Sequence, residues 1–168
     1  MYQAGYAVGQ LIALLLFVTP AVLFLLTQQN ILKAIRRDNR RLRPGLVWLQ
    51  LIPIFNFYWM FVVVTRIADS IYKEHTSLMD DSILGMADPD AAEGFGKRPT
   101  YGIGITWCVL YLLFMLVSIF FNLFYSGAGE VRNFAIFILT LCLSIITCWI
   151  IYWVKLAGEK RKLQYLQA

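Results

Sequence analysis

Charged side chains avoid four long stretches of this chain: Met1 to Leu32, Pro44 to Thr65, Pro99 to Gly129 and Asn133 to Val154. A helix rising ~1.5 Å per residue needs about 20 apolar residues to cross a hydrocarbon core of about 30 Å, and each stretch is long enough. The pattern predicts an all-α integral membrane helical bundle, one membrane domain over residues 1–168, with four hydrophobic segments at about 4–32, 46–65, 100–126 and 133–154. The first segment has no positively charged leader and no small-residue cleavage pattern, and its apolar run is too long for a secretory signal. It is expected to stay in the mature protein.

The second segment carries its own interruption: Leu51 to Trp59 reads LIPIFNFYW. Pro53 removes a helix donor and disfavours helical geometry at Ile52, while Asn56 offers an amide to backbone groups exposed by a break. One geometry is a re-entrant segment that turns at Pro53 and leaves by the side it entered, which places Trp48 and Trp59 near one interface. The other is a kinked spanning helix, tolerated where neighbours cover the freed carbonyl.

The distribution of Lys and Arg favours the returning form. Lys33, Arg36, Arg37, Arg40, Arg41 and Arg43 follow the first segment, and Arg66, Lys73, Lys97 and Arg98 lie between the second and third. Arg132 stands alone between the third and fourth, and Lys155, Lys160, Arg161 and Lys162 occupy the tail. If every segment spans, the two sides carry seven and eight positive charges and show no bias; if the second returns, the split is fourteen to one. The second arrangement obeys the positive-inside rule, with the N-terminus outside and the basic arm, middle connection and C-terminus cytoplasmic.

Composition narrows the class further. The 168 residues are 60% hydrophobic and only 15% charged, with a mean hydropathy of +0.65, which an ordinary soluble domain does not tolerate. The basic juxtamembrane arm at 33–43 places Lys33, Arg36, Arg37, Arg40 and Arg41 at i, i+3, i+4, i+7 and i+8, one face of a helix stopped by Pro44 and Gly45. Such a face can hold anionic membrane-lipid headgroups, or it can serve only to fix topology. No aromatic stacking pattern accompanies it, so nucleic acid is not the expected partner.

Between Arg66 and about Met79 the apolar spacing is helical, with Asp69 placed to support Lys73; from Asp80 to Lys97 the chain turns acidic and Gly-rich and reads as a loop. A calcium loop fails on spacing, because Ala92 stands where a ligand is needed and Glu93 replaces the turn glycine. Gly102 and Gly104 lack the third glycine and the preceding strand of a dinucleotide site. His75 has no metal partners at ligand spacing and is expected on a solvated helix face, and Cys108, Cys142 and Cys148 lie in apolar helices as small hydrophobes. No catalytic, cofactor-binding or metal-ligating residues are assigned, and no enzyme activity is expected.

No Asp, Glu, Lys, Arg or His lies inside the four apolar segments, which disfavours active transport. Gly5, Gly9 and Ala13 form a small-residue face on the first helix, and Thr140, Ser144 and Thr147 a polar stripe on the last. These faces suit packing within the chain, a homo-oligomer or a partner membrane protein. Gln10, Thr19 with Pro20, and Asn122 are expected to prefer the bundle interior.

Two blocks, Arg43 to Ile71 and Cys148 to Leu163, carry a resemblance. Trp48, Ile52, Pro53, Phe55, Asn56 and Trp59, followed by Ile67 to Ser70, resemble a family of small, uncharacterised multi-pass bacterial membrane proteins. The resemblance covers about a quarter of the chain. It implies a bacterial inner-membrane protein and supplies no site residues. The readings that remain are a non-enzymatic scaffold or accessory subunit with a basic lipid-facing arm, a channel or carrier for a small neutral solute using the polar break at Pro53 and Asn56, and a lipid enzyme. The last requires Asp69, Glu74 and His75 to meet in one pocket.

Overall fold

The structure is a computed structural model that describes residues 2–83, 98–124 and 131–166. It is all-α. Helix α1 covers Tyr2–Ala34, α2 Pro53–Ile83, α3 Tyr101–Phe124 and α4 Val131–Leu166, with 3-10 helix at Arg37–Asn39 and Pro44–Leu51 between α1 and α2. All four α-helices are long and apolar enough to cross a membrane. The protein is a multi-pass membrane protein by helix length and hydropathy.

The interruption at Pro53 is the start of a helix, not a kink within one. Ile52 is extended (φ −81°, ψ 112°), as a residue preceding proline should be, and Pro53 occupies the first helical position, where a missing N–H costs least. The Ile52 carbonyl accepts the Asn56 N–H at 2.8 Å and opens the ladder of α2.

Neighbours fix the path on either side. After α1 the chain doubles back along it: the Trp48 indole donates to Gln29 and the Gln50 amide to Gln28. Eight residues of 3-10 helix rise about 16 Å. Phe24, which borders the same recess as Leu51, precedes Ala34 by about 15 Å of α1. From Pro53 the chain runs back the other way. Met60 packs at the level of Phe24, Val63, Ile67 and Ile71 pack with Ile31, Leu32 and Ile35, and Glu74 meets Arg36 beyond the end of α1. Residues 44 and 66 therefore lie at the same end of the packed clusters, and residues 46–65 form a hairpin that folds back on itself at Ile52.

The packed core sits at that end. Leu42, Val47, Leu156 and Leu163 join the α1 and α2 residues in one cluster, while Phe24, Met60, Val64, Cys108 and Tyr152 form a second just above it. Gly104 of α3 lets the helices close: a Cβ there would lie 2.5 Å from Val64 and 2.9 Å from the Tyr152 ring. Above this level the helices turn apolar side chains outward, Leu16, Phe120, Leu123 and Leu139 among them, as lipid-facing residues do.

Several expectations require correction. The basic arm is not a helix: α1 stops at Ala34, Arg36 is extended, and only Arg37–Asn39 make a single 3-10 turn, so Lys33, Arg36, Arg37, Arg40 and Arg41 do not share a helical face. The reason is that a continued helix would carry Leu42 and Asn39 away from the core they are buried in. Helix α4 is longer than the 133–154 segment, because Tyr152, Leu156, Glu159 and Leu163 continue one buried face through the basic tail. Gln10 and Thr19 are exposed rather than interior, and the Thr140, Ser144 and Thr147 hydroxyls bond their own helix one turn back, on an exposed face. Gly9 has open space around it. The side chain of Asn122 and residues 84–97, which hold most of the acidic loop, lie outside the described residues.

Candidate functional site

Two places combine polar groups with open space, one at the basic end and one beside the hairpin tip. The basic end is built on buried anchors. Asn39 is buried and donates to Glu74 at 2.6 Å, the Arg36 N–H donates to the same carboxylate oxygen at 3.2 Å, and the Arg41 N–H donates to the buried Ser70 hydroxyl at 2.8 Å. Arg40 turns back over the end of α1, donating to the carbonyls of Ile35 and Lys33, and so satisfies acceptors that a helix end leaves open. The turn at 36–41 is thus held by hydrogen bonds to α1 and α2 rather than by helical continuity.

Those bonds leave guanidinium groups at the surface. Arg37, Arg40, Arg41 and Arg43 line an open recess of about 610 Å³ with no carboxylate in its wall. A second recess, about 500 Å³, is lined by Arg41, Arg66, Lys73 and Arg98 together with Asp69. Asp69 is committed to Arg98 at 3.2 Å, and not to Lys73 one turn on, whose ammonium donates to the Asp38 carbonyl. Among the described residues, no carboxylate pairs with Arg37, Arg41, Arg43 or Arg66. Lys33 lines neither recess.

The three residues a lipid enzyme would need face different partners. Asp69 faces Arg98, Glu74 faces Arg36 and Asn39, and His75 faces Glu159 of α4 at 3.2 Å. The solvated position expected for His75 is overturned: it is buried, because the extension of α4 covers that side of α2. No three His, Cys, Asp or Glu residues come together as a metal site among the described residues.

At the hairpin tip, Gln50, Asn56, Met60, Phe24, Trp107 and Trp149 border a recess of about 220 Å³. Pro53 shapes it by starting α2 there, while the Asn56 side chain, expected to cap broken backbone, instead lines the recess. The aromatic wall is continuous: Phe24 meets Trp107, Trp149, Tyr152 and Trp153 edge-on at 5.5 to 6.0 Å.

Sequence reasoning found the cations but not the buried residues that aim them. Asn39, Ser70 and Glu74 are 29 to 35 residues apart in their pairings, a separation with no local signature. The burial of Glu159 was legible in principle, from its place among Tyr152, Leu156 and Leu163 at helical spacing.

The chain matches no family model, no curated protein and no solved structure. No family is identified for it.

Proposed function

We propose that this is a non-enzymatic integral membrane protein, a scaffold or accessory subunit of a bacterial inner membrane, which grips anionic lipid headgroups at its basic, cytoplasmic end. The observation that carries this reading is the pair of Arg-lined recesses at the end where the hairpin meets the bundle surface. Arg suits the task because its planar donors meet phosphate oxygens in pairs, and each cation near an anionic surface adds about 1 kcal/mol of attraction. The separate commitments of Asp69, Glu74 and His75 support the non-enzymatic part of the reading. The gathering of the described cations at 33–43, 66–73, 98 and 155–162 near that end supports the orientation under the positive-inside rule.

The test is thermal unfolding in nanodiscs of phosphatidylcholine alone and of phosphatidylcholine mixed with phosphatidylglycerol. The anionic lipid is expected to raise the midpoint for the wild-type chain and to raise it less for a variant carrying Arg37→Gln and Arg43→Gln. An equal midpoint in the two lipids would remove the reading.

The recess at the hairpin tip favours a second reading, a carrier of a small neutral solute, since non-helical backbone at membrane depth is tolerated where it lines a cavity. Proteoliposome uptake of a neutral solute such as glycerol should then fall to background in Asn56→Leu, and unchanged uptake discards it.

A further inference from the structure

The two basic recesses are not independent. Arg41 lines both of them. Its backbone is fixed by the bond from its N–H to Ser70, and the residue two positions before it is buried against Glu74, so its side chain starts from a set position between the two openings. One guanidinium carries several N–H donors along different edges and can meet an anion on each side.

The remaining cations divide around it. On one side stand Arg37 and Arg43, exposed and without a carboxylate partner among the described residues. On the other stands Arg66, equally unpaired, while Asp69 in that wall is neutralised by Arg98. Two neighbouring anion seats with a shared central donor fit a ligand bearing two anionic groups on a short bridge better than a single charge. The first recess also includes Leu42 and Pro44, where the chain turns into the apolar hairpin.

We infer that the two recesses together bind one phospholipid whose headgroup carries two phosphates, one seated in each recess, with Arg41 between them. This rests on the anionic-lipid reading of the basic end and names its ligand class. The pre-set backbone lowers the ordering cost of binding, and the shared Arg41 makes the two seats cooperate within one molecule, which two separate single-phosphate lipids would not exploit.

Native mass spectrometry of the full chain, delipidated in detergent and offered tetraoleoyl cardiolipin, dioleoyl phosphatidylglycerol or dioleoyl phosphatidylcholine, reads the inference directly. Cardiolipin is expected to be retained about tenfold over phosphatidylglycerol, in keeping with one added charge-assisted phosphate contact. Arg41→Gln should bring that preference to within about twofold, and so should Arg66→Gln, which removes a cation from the second recess alone. Arg161→Gln on the tail should leave it unchanged. Equal retention of cardiolipin and phosphatidylglycerol, both above phosphatidylcholine, would overturn the two-phosphate ligand and leave the anionic-lipid reading standing. Equal retention of all three would remove both. A preference unchanged in both Arg41→Gln and Arg66→Gln would overturn the assignment to these recesses. Displacement of bound cardiolipin by excess fructose 1,6-bisphosphate would show that a soluble bisphosphate, not a lipid, is the ligand.

Discussion

Glu74 shows how one side chain organises the basic end. It is fully buried, it accepts from the Asn39 amide and the Arg36 N–H, and it lies 3.6 Å from the Arg36 guanidinium. Alanine there leaves a buried amide and a backbone donor without their acceptor, a loss of about 2–4 kcal/mol. Thermal unfolding of Glu74→Ala should show that loss, and the 36–41 turn should become protease-sensitive. Glutamine, which keeps an acceptor oxygen, should lose less, and equal midpoints for wild type and Glu74→Ala would contradict this account of the turn. Lys33, Arg36 and Arg40 look interchangeable in the sequence, yet Arg40 closes the end of α1 and Arg36 pairs inward, so only part of the basic run is left to face a ligand. That division depends on partners far along the chain, and no spacing rule reveals it.

At the scale of elements, helix limits followed local chemistry and helix packing did not. Proline and the residue before it marked where α2 begins, and the apolar runs marked α3 and most of α4. The basic arm misled because its helical period was real in the sequence while burial of Ile35, Asn39 and Leu42 decided the backbone. The close approach of helices was also misplaced, since the small residues expected to mediate it include Gly9, where an added Cβ would meet open space, whereas Gly104 lies between α2 and α4. Gly104→Val should therefore be disruptive: Val64 is a stiff β-branched side chain and the Tyr152 ring is buried, so neither yields easily to new atoms 2.5 to 2.9 Å away. A cost of about 1–3 kcal/mol is expected in unfolding, with Gly9→Val near neutral as the contrast.

For the molecule as a whole, the hairpin at 46–65 carries a prediction about sidedness. Single-cysteine probes at Arg37, Thr76 and Tyr165, all exposed, should label from one side of the membrane in a Cys108, Cys142 and Cys148-free background, and a probe at Ser126, between α3 and α4, from the other. Labelling of Arg37 and Thr76 from opposite sides would mean that residues 46–65 span. The compact, hydrogen-bonded core lies at the end where charges and the hairpin meet, and the opposite reaches of α1, α3 and α4 present apolar surface of the kind a membrane covers.

The linear sequence by itself determined that this chain is a membrane bundle and where its helices begin to be possible, because the cost of placing charge and unpaired backbone in hydrocarbon acts residue by residue along the chain. Charge asymmetry even favoured the returning path, since that bias is a sum over loops and needs no contacts. Only the tertiary structure decided that Glu74 and Ser70 hold the arginine turn, that His75 is covered by α4, and that Arg41 stands in the wall of two recesses. Each of these comes from burial and hydrogen bonding between residues some 30 to 80 positions apart, and such pairings are set by the packing of whole helices rather than by any local pattern.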